Sequence, residues 1–150
     1  SVAAEAGLKQ QLVYYYFRTM DELLLACFQR RTARALAQLE RDAASDRPVR
    51  AIWETLSNAS DGKLSFEFMA LANHHDGIRV EVARFVSESR KIEARAFASR
   101  DQLPGGIAPL AASFLLSTAA LMLGREAATG IAEGHGDVRA LIEDMLARFD

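Results

Sequence analysis

Cysteine occurs once in the 150 residues, as Cys27. A single thiol forms no intramolecular disulfide and no multi-cysteine zinc site within one chain, and the simplest setting for it is reducing and cytoplasmic. The 3 prolines and 9 glycines build no repeat, low-complexity segment or Gly-rich phosphate loop, and neither a nucleophile elbow nor a metal-protease signature is present. Alternating runs of strand type are missing, because Val and Ile are scattered. An excess of one charge is missing as well. The net charge is −2 and the pI about 5.9, so no overall basic field advertises a nucleic-acid partner, although a local basic patch disappears in such a sum. The opening Ser1-Val2-Ala3-Ala4-Glu5 has no initiator Met, no basic region and no long apolar run, so this stretch is not expected to be a signal peptide, and it reads as a chain entered partway through. Long hydrophobic runs are few. Gln102 to Gly124 carries no charge, but Pro104, Gly105, Gly106 and Pro109 break its first part. The remaining Leu110–Gly124, about 15 residues softened by Ser113, Ser117 and Thr118, falls short of the roughly 20 needed to span a bilayer. A helix buried in a core or between subunits is expected there, and no membrane partner.

Half the residues are apolar and a quarter are charged, as in an ordinary globular protein. The length suits one domain that buries roughly 68–70% of its unfolded surface. Helical spacing recurs along the chain. Val2–Ala6 and Gln10–Phe17 are short helices separated by Gly7. A long helix starts at Asp21, with Leu24, Phe28, Ala35 and Leu39 on its apolar side, and fades near Ser45. Pro48 opens the next, with Val49, Ile52, Trp53 and Leu56 three or four apart. Leu64–Ala72 is short and apolar. Ile78–Arg100 is amphipathic, with Val82, Phe85, Val86 and Ile92 inward and Arg84, Arg90, Lys91 and Arg95 outward. Leu110–Thr129 and Val138–Phe149 complete the set. Turns are expected at Ser45–Pro48, Asp61-Gly62, Asp76-Gly77, Leu103–Gly106 and Gly130–Gly136. The expected fold class is all-α, with about eight helices.

The stretch from Val2 to Leu24 is the informative one. Ala3 is small enough for two helices to cross closely. Gly7 can adopt the left-handed conformation that ends a helix in a tight turn. Leu8 plugs the corner, and Val13 buries the inner face of the second helix. Lys9, Gln10, Gln11, Tyr14 and Tyr15 are left outward, and amides, phenols and a lysine suit base edges and phosphate oxygens. On spacing alone, a pair of helices with a glycine corner and no DNA role stays open.

Ala6-Gly7-Leu8, Val13-Tyr14-Tyr15-Tyr16-Phe17 and Asp21-Glu22-Leu23-Leu24 together closely resemble the DNA-binding segment of the tetracycline-repressor (TetR/AcrR-like) family of bacterial regulators. The resemblance covers residues 1 to about 28. It implies a helix-turn-helix DNA-binding domain over 1–28, lacking the family's first helix, and a helical ligand-binding and dimerisation domain over 29–150. By resemblance, Gln10, Gln11 and Tyr14 meet base edges and sugars, while Tyr15 and Tyr16 meet the phosphate backbone. Three positions depart from the family pattern. Lys9 stands where Ser usually caps the helix, at a cost near 1 kcal/mol, and gains a possible phosphate contact. Gln11 stands for a frequent Gly, which changes the bases read. Met20 stands for a Lys that meets phosphate, which predicts weaker and less salt-sensitive binding unless Arg18 or Thr19 substitutes.

The resemblance also implies an inducer pocket among the central helices, for which Trp53, Phe66, Glu67, Met69, His74, Phe85 and Phe114 are the candidate residues; plain core packing is the alternative for each. Glu67 interrupts an apolar run and shares a helical stripe with His74. It either orients a ligand or pairs with an arginine such as Arg84 or Arg90. His74-His75-Asp76 is not expected to bind metal, because adjacent helical residues diverge. Cys27 sits in an apolar run where a buried thiol is commonest. The last two helices offer Leu115, Leu121, Met122, Val138, Leu141, Ile142, Met145 and Phe149 as a broad apolar surface, which suggests a subunit interface. The family forms a two-protomer four-helix bundle there, which sets two recognition helices one DNA turn apart on a palindrome.

These observations predict a cytoplasmic homodimeric regulator, a repressor released from double-stranded operator DNA by a small apolar inducer, with no cofactor and no metal. Two alternatives are an enzyme or small-molecule carrier built on a Glu67/His74 pocket, and a purely structural dimerisation module.

Overall fold

The computed structural model describes residues 2–7, 9–58, 62–98 and 106–148. Among the described residues all regular structure is helical, in eight helices: α1 (Val2–Glu5), α2 (Gln10–Tyr16), α3 (Met20–Ala43), α4 (Pro48–Asn58), α5 (Gly62–Leu71), α6 (Asp76–Ala98), α7 (Pro109–Ala128) and α8 (His135–Ala147). The all-α reading is correct. Leu8, Asp61, Leu103–Gly105, Phe149 and the side chain of Leu64 lie outside the described residues.

The body is built on α3 and α6, which pack along each other and carry two apolar clusters in succession. Near the start of both helices, Phe28 stacks on Phe68 of α5 with ring centroids 4.1 Å apart, joined by Ala72 and Ile78. Farther along, Leu39, Ile92, Ala96 and Phe97 meet Val49, Ile52 and Trp53 of α4, Leu116, Ala120 and Leu123 of α7, and Ile142 and Leu146 of α8. A polar seam crosses the α3–α6 contact: the buried Thr32 hydroxyl donates to the buried Glu81 carboxylate at 2.5 Å, and Arg84 Nε donates to the same carboxylate at 2.9 Å. The Arg84 guanidinium beside Glu81 holds that carboxyl below the usual carboxylate range.

Helix ends follow local chemistry. Thr19 caps α3 by accepting the Glu22 N–H at 3.1 Å, and the Glu22 side chain accepts the Arg18 N–H at 2.7 Å, so both ends of the entry are tied. That cap starts the helix at Met20, one residue before the acidic start read from sequence. Gly134, with φ +76°, admits the chain to α8, and His135 Nε2 lies 2.8 Å from Glu126 Oε2 of α7. The last helix therefore begins at His135, not at Val138, and takes up the end of the expected Gly130–Gly136 turn. α7 has the length expected of it, shifted by one residue. It runs 20 residues and is long and apolar enough to cross a membrane by length and composition. Its inner face, with Ala112, Ser113, Leu116, Ala120 and Leu123, lies in the core.

Two readings of the long helices are corrected. Cys27 is exposed, because Phe28, the next residue, takes the inward position and a helix turns about 100° per residue. Val82, Phe85 and Val86 are only half-buried, while Glu81, Ser89 and Glu93 occupy the inward line with Ile78 and Ile92.

Candidate nucleic-acid interface

The N-terminal hairpin is held by backbone geometry more than by burial. Ala3 is buried, as a close helix crossing requires. Gly7 has φ +66°, and its N–H bonds to the Ala4 carbonyl at 3.1 Å, so α1 ends in a left-handed turn that suits glycine. Lys9 then takes an extended conformation as N-cap of α2 without a side-chain cap, which fits the missing serine. α2 closes when the Phe17 N–H meets the Val13 carbonyl at 2.9 Å.

α2 has no buried residue. Val13, expected to bury the inner face, is half-buried, because α1 offers only one turn to cover it. Ala3, Val13, Phe17, Met20 and Leu23 line an apolar depression of about 90 Å³ between the hairpin and α3, with Gln10 and Tyr14 on its rim. Gln11 and Tyr15 are four apart and share a different side of α2. Tyr15 is 80% exposed, and Tyr16 meets it edge-on with ring centroids 5.2 Å apart. Lys9, Gln10, Gln11, Tyr14, Tyr15 and Tyr16 all reach solvent. The set thus divides into Gln11 and Tyr15, free of the hairpin, and Gln10 and Tyr14, which flank its apolar depression.

The charge of this segment is unusual for a DNA-reading surface. Residues 1–27 hold Lys9 and Arg18 against Glu5, Asp21 and Glu22. Two of the acids are occupied. Glu22 is used in the α3 cap, and Asp21 Oδ2 lies 3.2 Å from His75 Nδ1 at the start of α6.

Residues 1–27 match the family model for bacterial regulatory proteins of the tetR family. This N-terminal segment is similar to the DNA-binding segment of that family. The match supports a DNA-binding role in transcription regulation for this segment, and it ends within α3, which continues unbroken into the body. No curated protein and no solved structure matches the chain.

The body corrects several sequence-derived sites. α5 ends at Leu71, and the His74 N–H closes a turn on the Leu71 carbonyl at 2.9 Å, so Glu67 and His74 share no helical stripe. Both are exposed, because Phe68 and Ala72 take the inward positions. Among the described residues Glu67 makes no ion pair; Arg84 serves Glu81 and Glu88, and Arg90 lies over the Phe114 ring. Trp53 is packed in the core. Phe66 and Phe85 are half-buried, Phe66 beneath the Arg125 guanidinium at 4.7 Å from its centroid. Met69 and Phe114 are exposed. The structure does not bring the seven candidate pocket residues around one cavity: Trp53 is spent in the core, and Phe66 and Phe114 each lie under an arginine.

Of the interface candidates, Leu115, Val138 and Leu141 are exposed, with Leu141 at 71%. Leu121, Met122 and Met145 are half-buried. Ile142 is a correction: it is buried in its own chain's core beside Leu146.

The residues that sequence reasoning missed are the buried carboxyls. Glu93, only 1% exposed, accepts hydrogen bonds from Ser113 Oγ at 2.6 Å and Ser117 Oγ at 2.5 Å, which tie α6 to α7. Burial pushes its carboxyl up, opposed by the two hydroxyls and by the Arg90 charge. A signal existed: Ile78, Glu81, Ser89, Ile92, Glu93 and Ala96 fall on one helical stripe, and Ser113 and Ser117 are four apart on α7.

Proposed function

We propose that this tetR-family chain acts as a cytoplasmic homodimeric repressor that holds a palindromic operator and releases it when a small molecule binds the body. In this reading residues 1–28 form the DNA head and 29–150 the ligand-binding and dimerisation body. The observation that carries it is a solvent-facing α2 behind a left-handed glycine turn, inside the segment that matches the family. Gln11 reads a base edge, with Gln10 and Tyr14 beside it, and Lys9, Tyr15 and Tyr16 meet the phosphate backbone. The unpartnered apolar side chains of Leu115, Val138 and Leu141 supply the subunit contact, flanked by Leu121, Met122 and Met145. Pairing there sets the two heads roughly 34–36 Å apart, one DNA turn. Ligand binding acts through α6, whose Glu81–Thr32 link and Asp21–His75 contact join the body to α3.

Base and phosphate contacts fail differently when removed, which gives the test. Gln11→Ala costs about 1–3 kcal/mol on the preferred operator and less on unrelated DNA. Tyr15→Phe weakens all sequences alike. Equal losses from both variants on every sequence would remove α2 as the reading element.

A further inference from the structure

The outer side of α6 and the first turn of α7 border an open groove of about 420 Å³, lined by Ala83, Val86, Ser87, Arg90, Lys91 and Leu110. Its size falls in the range of small-molecule sites, and its chemistry is two-sided. Ala83, Val86 and Leu110 give it an apolar wall. Arg90 and Lys91 give it two cations and no carboxylate. Among the described residues neither cation forms a salt bridge, whereas the neighbouring Arg84 and Arg95 are both engaged, with Glu81 and Glu88 and with Glu40. Arg90 rests instead over the exposed Phe114 ring, 4.7 Å from its centroid. α7 enters the groove with Ala108 as an N-cap that supplies no side-chain acceptor, so the positive end of a 20-residue helix adds to the same field.

We propose that this groove binds an apolar carboxylate, its anion held by Arg90 and Lys91 and its hydrocarbon laid against Val86, Leu110 and Phe114. Resting on the ligand-responsive reading above, the proposal names the ligand class and moves the site away from the Glu67/His74 region. The anion takes Arg90 from the face of Phe114 into a charge-assisted pair, which a planar guanidinium makes well. Arg90 is also the cation whose charge offsets the burial of Glu93, the residue that Ser113 and Ser117 hold across the α6–α7 contact. Occupancy of the groove therefore reaches the packing of α6, and α6 reaches α3 through Glu81 and Thr32.

The test uses the full chain and octanoate as probe, with octanol and octylamine as neutral and cationic counterparts of equal length. Calorimetric titration is expected to rank octanoate first and octylamine last. Lys91→Gln weakens octanoate by about tenfold, the loss of one charge-assisted contact, and Arg90→Gln with Lys91→Gln by about a hundredfold. Leu110→Glu, which places a negative charge at the mouth, abolishes binding. Lys91 and Leu110 are both exposed, so these two single variants carry the test even where the Arg90 change disturbs folding. No octanoate binding to the wild type, octylamine bound as tightly as octanoate, or undiminished binding in both Lys91→Gln and Leu110→Glu overturns the proposal. Octanoate that binds as described but leaves operator affinity unchanged supports the site and counts against the ligand-responsive reading, so the two failures are distinguishable.

Discussion

Replacing Glu93 by glutamine should remove a pH dependence that this carboxyl alone imposes on stability. Its side chain is buried, with two serine hydroxyls as its hydrogen-bond partners. Burial disfavours the charged form and raises the folded-state pKa above the unfolded value. Between those two values the folded chain holds a proton that the unfolded chain has released. Stability from this group is therefore complete below the unfolded pKa, near 4.3 for Glu, and declines as pH rises toward the raised folded value. One proton sets the limiting slope, about 1.4 kcal/mol per pH unit. For a chain of this length, 1 kcal/mol corresponds to roughly 2–4 °C in Tm. The glutamine of the Glu93→Gln variant keeps a carbonyl acceptor for the serines and does not titrate. Urea unfolding of both proteins from about pH 4 to about pH 8 gives the difference in stability, in which carboxylates such as Glu81 cancel. That difference should fall with rising pH, wild type losing ground to Glu93→Gln. A flat difference across the range would refute a buried, proton-holding Glu93.

Other expectations follow from the same packing. Leu146 is fully buried and is one of two buried residues on α8, so Leu146→Ala should cost about 2–5 kcal/mol in denaturant melts, whereas a cost below about 1 kcal/mol would mean that α8 is not docked. Gly7→Ala meets no atom within 4 Å, so its cost is backbone strain alone, about 1–2 kcal/mol, read as faster amide exchange in α1 and α2 with the body unchanged. Glu81→Ala should cost about 2–3 kcal/mol by removing the acceptor of Arg84 Nε and Nη2 and leaving the Thr32 hydroxyl only the Gln29 carbonyl to donate to, and because the Glu81 pKa is depressed, that contribution should vanish as pH falls through the acid range. Leu141→Glu, at an exposed position, should leave the monomer fold intact and lower the mass found by light scattering from twice the chain mass toward one; wild-type monomer at every concentration would end the dimer reading.

The helices were legible because their apolar residues recur at helical spacing and some ends carry recognisable residues, Pro48 at the head of α4 and Gly7 after α1, whereas the Thr19 cap of α3 went unread. The reading failed where a stripe is polar. Glu81 and Glu93 lie on the inward line of α6, yet charge argues for solvent until the partners Thr32, Arg84, Ser113 and Ser117 are known, and those lie 20 or more residues away or on the same face. Cys27 and Glu67 failed for the opposite reason. Each precedes a phenylalanine that takes the inward position, and the turn of about 100° per residue carries Cys27 and Glu67 round to solvent. The aromatic residues could not be assigned to a pocket or a core from spacing, because which ring stacks on which, as Phe28 does on Phe68, is set by the crossing of α3 and α5.

The central claim is that α2 reads DNA sequence, and selection from a randomised palindrome library at low salt tests it most directly. The account predicts one enriched palindrome with half-sites one turn apart. It also predicts that Gln11→Ala enriches a relaxed set at that site while the helical content of the protein is unchanged. Because residues 1–27 carry three acids against two bases, the salt slope on that operator should be shallow. A full-length protein that enriches no sequence, and binds every duplex equally, would contradict it.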